Sequence, residues 1–118
     1  FAHSYEASLG YSKKLNHGEA VILGMNTALK FSFRNKLLKK NEFYFIKRHF
    51  EKKNLPHNIK NYFSYKDLNK ILNFMKKDKK NTSDKINLIL LKKIGSTVIH
   101  NEYKKSHIKA FLKKELIN

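Results

Sequence analysis

Apolar residues three and four positions apart recur along most of this sequence, and that spacing places them on one face of an α-helix. In the stretch 40–54 the residues at helical spacing are Phe43, Ile46, His49 and Phe50. The stretch is followed by Pro56, the only proline of the chain, and a proline disfavours helix in the residue before it. The spacing therefore predicts an amphipathic helix over 40–54 and a mainly α-helical protein.

Two helices are expected before this one. Residues 1–9 form the first, residues 10–16 form a turn, and Asn16 stands at a suitable N-cap for the second. Glu19 lies three residues after Asn16, so the two predict a capping box, in which each side chain accepts a hydrogen bond from the other residue's backbone N–H. We expect this second helix to be largely buried because of its apolar and small residues, which include Ala20, Val21, Leu23, Gly24, Ala28 and Leu29.

Two more helices and a β element are expected after Pro56. Ser64 and Asp67 begin a helix that reaches Asp78 and carries, at helical spacing, Leu68, Ile71, Leu72 and Met75. The pattern then changes, in chain order, to a polar loop at 81–85, an apolar strand at 86–91, a turn at Gly95 and a second strand at 97–100. A last helix places on one face Ile108, Phe111 and Leu112. The sequence therefore predicts a helical protein with a short two-stranded β element near residues 86–100.

The net charge of +17, with aromatic residues interleaved, is typical of a nucleic-acid-binding protein. Of the 26 basic residues, however, only Arg34 and Arg48 are arginine, whose planar fork best suits phosphates and guanine edges. The lysines are also spread along every segment. We therefore expect a solvated lysine surface with weak, salt-sensitive affinity for polyanions and no specific nucleic-acid partner.

The chain contains no cysteine, which excludes disulfides and thiolate metal sites, so any zinc would need His, Asp or Glu ligands. No apolar run is long enough to cross a bilayer, and the first residues do not resemble a signal peptide. These features fit a cytoplasmic protein with no membrane partner. With 41% apolar residues, we expect residues 1–118 to form a single domain around one core.

Two motifs in a fixed order carry the chemical information. The first comprises His3-Ser4-Tyr5-Glu6-Ala7, Gly10-Tyr11, His17-Gly18-Glu19-Ala20-Val21 and Gly24-Met25. The second comprises Met75-Lys76-Lys77-Asp78-Lys79-Lys80, the apolar run 86–91 and Ile94-Gly95. Together they closely resemble the last third of 3-dehydroquinate synthase, a shikimate-pathway enzyme of aromatic amino acid biosynthesis. The chain therefore resembles a C-terminal segment of a longer enzyme.

The resemblance implies a fold and an activity. The fold is the helical C-terminal domain of a two-domain enzyme, and the reaction converts 3-deoxy-D-arabino-heptulosonate 7-phosphate to 3-dehydroquinate and phosphate. A bound NAD transiently oxidises the substrate alcohol, phosphate is eliminated, and the ring closes by an aldol step, while zinc polarises the alcohol. Residues upstream of the matched stretch are needed for both NAD and zinc, so this chain alone is expected to be inactive.

The resemblance also implies roles for individual residues. His17 matches a zinc ligand, whereas without the resemblance it would be a histidine in a capping turn; Gly18 beside it leaves room for a ligand. His3 matches a histidine beside the substrate, implicated in proton transfer or substrate binding, although a lone helical histidine more often has a structural role. A catalytic zinc normally has three protein ligands, so His17 alone would bind zinc weakly or not at all.

The charged residues around these histidines have less specific roles. One of Lys79 and Lys80 matches a lysine that reaches the anionic end of the substrate, but lysines at a helix end are favoured by the helix dipole whatever their function. Glu6 and Glu19 match family positions for which capping or support of a ligand fits better than direct catalysis. The histidines that fall in no motif are His49, His57, His100 and His107.

The implied partners are a phosphorylated small molecule, an N-terminal nucleotide-binding domain that precedes the matched stretch, and a second copy in a homodimer. The sequence leaves two other classes of protein open. One is a related enzyme, either another sugar-phosphate cyclase or a polyol or iron-type alcohol dehydrogenase. The other is a small basic nucleic-acid-binding module without catalysis, for which tight and saturable binding would be the distinguishing observation.

Overall fold

The protein is described here by a computed structural model that covers residues 1–76, 85–93 and 95–117. The helices are α1 (Ala2–Ser8), α2 (His17–Arg34), α3 (Lys40–Lys52), α4 (Leu68–Met75) and α5 (Lys105–Ile117). Two strands, β1 (Lys85–Lys93) and β2 (Ser96–Lys104), form an antiparallel pair between α4 and α5. The predicted mainly helical fold with a two-stranded β element is confirmed.

A tight turn separates α1 from α2. Gly10 and Tyr11 have φ angles of 65° and 57°, and this left-handed conformation reverses the chain directly after α1. The backbone N–H of Tyr11 donates to the carbonyl of Glu6 at 3.0 Å, which closes the end of the helix. Leu15, later in the same turn, is buried in the core. The turn therefore holds the start of α2 beside the last turns of α1.

The capping box predicted at the start of α2 is confirmed. The backbone N–H of Glu19 donates to Asn16 Oδ1 at 2.8 Å, and the backbone N–H of Asn16 donates to Glu19 Oε1 at 3.1 Å. Two of the N–H groups that a helix start leaves unpaired are thereby satisfied. His17 follows as the first residue of α2, so its backbone is fixed by this reciprocal pair.

Helix α2 is largely buried, as expected, and its exposed residues are His17, Gly18, Val21, Met25 and Arg34. The buried residues are Ala20, Leu23, Gly24, Asn26, Thr27, Leu29, Phe31 and Ser32. They lie on more than one side of the helix, because Leu23 and Phe31 belong to one core cluster whereas Leu29 packs with Leu38 and Phe43 in another. Val21 and Met25 lie along the same side as Leu29 but nearer the start of the helix, where they are exposed.

Helix α3 packs on α2 through a narrow apolar face. Phe43 and Phe50 are buried, and the ring of Phe43 stacks on Phe33 with a centroid distance of 4.3 Å. The prediction that His49 shares this face was wrong, because His49 is exposed. It lies one residue before Phe50 and therefore about 100° away around the helix. The helix ends two residues earlier than predicted, at Lys52.

Helix α4 begins where its sequence predicted. A short 3-10 turn, Tyr65–Asp67, precedes it, and the backbone N–H of Ser64 donates to Asp67 Oδ2 at 2.9 Å. Leu68, Ile71 and Leu72 are buried, and the described helix ends at Met75. The prediction that this helix reaches Asp78 was wrong, because Lys76 already has a non-helical conformation, with ψ of 88°. Lys85, the last residue of the loop predicted at 81–85, instead begins β1, and residues 81–84 lie outside the described residues.

The β pair lies against α2. Along β1 the residues Ile86, Leu88 and Leu90 are buried and alternate with exposed neighbours, as expected for a strand with one face on the core. Strand β2 extends to Lys104, four residues beyond its predicted end, because pairing with β1 continues through Ile86 with Tyr103 and Lys85 with Lys104. Gly95, with φ of 81°, lies in the connection as predicted.

Two contacts fix the elements around α2. A Cβ atom built on Gly24 would lie 2.6–2.7 Å from the backbone and Cβ of Ala2, so α1 crosses α2 at a distance that only glycine allows. Ser32 joins α2 to β1, because its Oγ accepts from the backbone N–H of Leu91 at 3.0 Å and donates to the carbonyl of Ala28 at 2.7 Å. Helix α2 is therefore the scaffold that positions both neighbours.

One large hydrophobic cluster joins residues from α1, α2, α4, β1 and α5. The ring of Phe31 lies near its centre, with edge-to-face contacts to Phe111 at 5.0 Å and Tyr103 at 4.9 Å between centroids. In the described part of the chain no helix has the length and apolar character needed to span a membrane.

Candidate functional site

Of the two motif histidines, His17 has the clearer partner. Both carboxylate oxygens of Glu6 lie 3.2 Å from His17 Nδ1. The His17 side chain is 79% exposed, whereas that of Glu6 is 14% exposed. The imidazole is therefore held at one nitrogen by a mostly buried carboxylate, and its other nitrogen, Nε2, is left for a ligand.

Glu19 has a different task, although it lies only two residues from His17. Its carboxylate is used by the capping box with Asn16, so it fixes the backbone from which the His17 side chain projects. Gly18, between them, leaves open space, since a Cβ atom there would make only an ordinary contact of 3.5 Å with Asn16 Oδ1. Nothing in the fold requires a glycine at this position, in contrast to Gly24.

His3 lies at the edge of a cleft of about 370 Å³ between α1, α2, α4 and β1. The side chain is exposed. His3 and Glu6 are three residues apart on α1, a spacing that places side chains on the same side of a helix. The close crossing of Gly24 and Ala2 holds the start of α1 in place, so the backbone that carries His3 is well fixed.

Most of the cleft wall is apolar, and the sequence did not predict it as one surface, although many of its residues belong to the two motifs. Met25, Phe74 and Ile89 line it and are 54%, 42% and 64% exposed. They come from α2, α4 and β1, so only the packing of three elements brings them together. The sequence signal was weak, because each residue alone is an ordinary apolar residue of an amphipathic element. Together they form an exposed apolar surface beside His3.

Only part of the second motif lies within the described residues. Lys79 and Lys80, the candidate substrate ligands, lie outside the described residues. Met75, the first residue of that motif, lines the same cleft as His3. The prediction that one of these lysines binds an anionic group therefore stays a prediction.

Within the described residues no group of three or more His, Asp or Glu side chains could hold a metal ion. His17 nevertheless fits as a single ligand, because its Nδ1 is engaged by Glu6 and its Nε2 is accessible. Metal-bound histidines commonly donate their second ring N–H to a carboxylate in this way. The geometry of His17 is compatible with a metal ligand, and this role stays a prediction.

Three of the four histidines outside the motifs have described side chains, and none of the three shows a catalytic arrangement. His57 Nδ1 lies 2.8 Å from the carbonyl of Leu55, and His107 Nε2 lies 2.9 Å from Asn35 Oδ1. His49 is an exposed surface residue, and the His100 side chain lies outside the described part of the chain. None of the described three contacts the cleft.

A charged cluster on the other side of α2 has a structural explanation. Arg34 NH2 lies 3.5 Å from Glu115 Oε2, and Lys30 Nζ lies 4.0 Å from Glu115 Oε1. Burial lowers the pKa of Lys30, and the nearby Glu115 carboxylate opposes this shift. Because Glu115 belongs to α5, the cluster joins the last helix to the C-terminal half of α2.

Comparison with known proteins agrees with the arrangement of motifs. The family described as 3-dehydroquinate synthase C-terminal matches residues 1–81. A 3-dehydroquinate synthase of Pelagibacter ubique (strain HTCC1062) is 56% identical over 116 residues, which is 98% of this chain and 32% of the relative. That of Campylobacter concisus (strain 13826) is 40% identical over 110 residues, 92% of this chain and 30% of the relative.

A more distant relative extends the same match. The 3-dehydroquinate synthase of Bradyrhizobium diazoefficiens is 30% identical over 121 aligned residues, again 98% of this chain and 32% of the relative. The chain thus spans about a third of the length of the curated relatives that it matches. Since the family match covers both motif histidines and all of α1 to α4, this chain belongs to the 3-dehydroquinate synthase C-terminal family.

Proposed function

We propose that this chain is the C-terminal part of a 3-dehydroquinate synthase, which converts 3-deoxy-D-arabino-heptulosonate 7-phosphate to 3-dehydroquinate and phosphate. The observation that carries the proposal is His17 at the start of α2, with Nδ1 held by Glu6 and Nε2 accessible, inside a stretch matched by the family. The relatives named above all carry this enzyme name, which favours it over a sister cyclase, a dehydrogenase or a nucleic-acid-binding module.

In this proposal His17 is one ligand of zinc, and the other ligands come from the preceding part of the enzyme. Zinc, when bound, supplies Lewis acidity that polarises the substrate alcohol. The chain's own contribution is orientation: the capping box fixes the His17 backbone, and Glu6 fixes its ring. This support comes from two separate elements, α1 and the turn before α2.

His3 is the proposed residue for proton transfer or substrate binding. Two observations support this role: the side chain is exposed, and it lies at the edge of the cleft. An imidazole can both accept and donate a proton, which suits a residue that transfers protons. Lys79 and Lys80 complete the proposal, with one of them binding the phosphate or carboxylate of the substrate as a flexible point charge.

The proposed partner of the cleft is the nucleotide-binding part of the same enzyme. NAD supplies reversible oxidation of the substrate, and the residues that bind it belong to that part. The exposed apolar side chains of Met25, Phe74 and Ile89 support a packing surface here, since a contiguous exposed apolar patch commonly marks a contact site. The 118-residue chain by itself is therefore proposed to be inactive. A cytoplasmic location and a homodimer belong to the same proposal.

The test is phosphate release from the seven-carbon ketose phosphate by a fused protein, with NAD and zinc present. The upstream two thirds of the Pelagibacter ubique relative would be joined to this chain, because 56% identity favours compatible halves. We expect turnover in the fusion and loss of at least 100-fold in His17→Ala, since a ligand of the polarising metal is removed. His49→Ala is the matched control, because His49 is exposed and distant from both motifs.

The outcomes separate the alternatives. Turnover that is lost in His17→Ala and kept in His49→Ala supports the synthase. A folded fusion that binds NAD, releases no phosphate from this substrate and acts on another sugar phosphate would instead favour a sister cyclase. Equal turnover in both variants would remove His17 from the metal site. Tight, saturable binding of nucleic acid at physiological salt, with no turnover, would favour the binding module.

A further inference from the structure

Glu6 and His17 differ in how far they are buried, and this difference determines which side chain positions the other. Glu6 belongs to α1 and is 14% exposed, whereas the His17 ring is 79% exposed. Helix α1 is held by the Gly24 crossing and by the Tyr5 hydroxyl, which donates to Thr27 Oγ1 at 2.8 Å. The carboxylate therefore has a fixed position, and the mobile partner is the imidazole.

We propose that Glu6 is a positioning residue that selects the tautomer of His17 with the proton on Nδ1. An ionised carboxylate only accepts hydrogen bonds, so the ring nitrogen that faces both Glu6 oxygens must carry the proton. In neutral imidazole the other nitrogen then bears the lone pair. Glu6 thus presents Nε2 of His17 as the electron-pair donor toward solvent. The value of this for zinc binding rests on the proposed function.

Of Glu6 and Glu19, the two acidic residues of the first motif, only Glu6 contacts the ring of His17. Glu19, two residues away, already accepts from the backbone N–H of Asn16 at 3.1 Å. The turn between α1 and α2 brings residues eleven apart in sequence into contact, so the pair also joins the two helices. A substitution at Glu6 should therefore change the ring of His17 while the capping box stays intact.

The experiment is nitrogen NMR of the 118-residue chain labelled with 15N-histidine, at pH 8 and without metal. At that pH an ordinary imidazole is neutral, and long-range proton–nitrogen correlations distinguish the protonated ring nitrogen from the bare one. The His17 signals are assigned by their absence in His17→Gln. We expect the wild-type ring to be protonated mainly on Nδ1. In Glu6→Ala we expect a shift to a mixture dominated by protonated Nε2, the form that imidazole prefers without a partner.

Two further variants keep the result interpretable. Glu6→Gln retains an acceptor oxygen without the charge and should give an intermediate ratio of tautomers. Glu51→Gln removes the same charge at an exposed position of α3 and should leave the ratio unchanged. Backbone amide spectra check that each variant is folded. A wild-type ring protonated mainly on Nε2 would overturn the proposal without any variant, and so would an unchanged ratio in a folded Glu6→Ala chain.

A second readout separates this inference from the proposed function. In the fused protein we expect Glu6→Ala to weaken zinc affinity by about 10–100-fold, the usual effect of losing a supporting carboxylate, with Glu51→Gln near wild type. If the tautomer shifts in Glu6→Ala but zinc affinity does not depend on His17, the positioning role stands and the zinc-ligand role fails. If His17→Ala abolishes turnover but the tautomer never depends on Glu6, the function stands and this inference fails.

Discussion

At the scale of single residues, the molecule relies on a few polar groups that are buried with a defined partner. Tyr5 is the clearest example, because it is fully buried in the core and its hydroxyl donates to Thr27 Oγ1 at 2.8 Å. Thr27 in turn donates to the carbonyl of Leu23 at 2.9 Å. This chain of hydrogen bonds joins α1, which carries both His3 and Glu6, to the middle of α2.

Burial raises the pKa of Tyr5 strongly, which gives a prediction with a defined sign. Tyr5→Phe removes the hydrogen bond, so at pH 7 we expect the variant to be less stable by about 1 kcal/mol. Above pH 10 the unfolded chain loses the Tyr5 proton while the folded chain keeps it. The free energy of unfolding of the wild type should therefore fall by about 1.4 kcal/mol per pH unit relative to that of the variant. The difference should vanish near pH 11.

The measurement is urea unfolding of both proteins at pH 7, 10 and 11. The other tyrosines remain in both proteins, so the difference between the two isolates Tyr5. A stability difference that stays constant from pH 7 to pH 11 would contradict the burial of an intact hydroxyl at this position.

At the scale of elements, α2 positions the neighbouring elements of the site. Its two internal glycines differ in whether the packing requires a glycine. Gly24 lies against the backbone of Ala2, whereas Gly18 has open space around it. The sequence showed both glycines inside one motif and could not separate them, because a close helix crossing depends on which element packs there. The capping box was predictable, since Asn16 and Glu19 are neighbours along the chain and need no tertiary information.

Gly24→Ala is therefore expected to destabilise the protein. The added methyl group would lie 2.6–2.7 Å from Ala2, so α1 must move, and overpacking of this kind costs about 1–3 kcal/mol. The higher helix propensity of alanine offsets less than about 1 kcal/mol of this destabilisation. Gly18→Ala is the matched control, and we expect it to be neutral or slightly stabilising. Urea unfolding compares the two, and equal stabilities would contradict the close crossing.

Other elements show where a sequence pattern is insufficient. His49 follows the helical spacing of α3, yet it is exposed, because the buried face of this helix is narrow. Strand β2 continues through polar residues to Lys104, since its length is set by pairing with β1 and not by its own composition. Local periodicity identifies an element, whereas its neighbours decide its buried face and its end.

At the scale of the whole molecule, the cleft beside His3 is the feature that depends most on packing. Met25, Phe74 and Ile89 lie on three elements and become one apolar surface only in the fold. Met25 and Ile89 belong to the two motifs and Phe74 to neither, and no sequence pattern brought the three together, so the sequence predicted the histidines of the candidate site but not the wall next to them. The expectation of one domain over 1–118 stays a prediction, although a single large cluster joins four helices and a strand in accord with it.

The proposed role of this surface leads to a prediction that contrasts two similar residues. Ile89, 64% exposed, lines the cleft, and Phe45, 68% exposed, lies on α3 away from it. In the 118-residue chain Ile89→Lys and Phe45→Lys should each change stability by no more than about 0.5 kcal/mol, because both sites face solvent. In the fused enzyme Ile89→Lys should cost about 2 kcal/mol or more, since the packed upstream part would bury an unpaired charge.

Urea unfolding and phosphate release of the fused protein measure this difference. The expected result is that Ile89→Lys lowers both stability and turnover while Phe45→Lys leaves both near wild type. The isolated chain is measured in parallel. A general effect of adding lysine to a protein of net charge +17 would therefore appear for both variants, in the isolated chain and in the fused protein alike. If Ile89→Lys is harmless in the fusion as well, the nucleotide-binding part packs elsewhere, and the cleft beside His3 stays open to solvent in the complete enzyme.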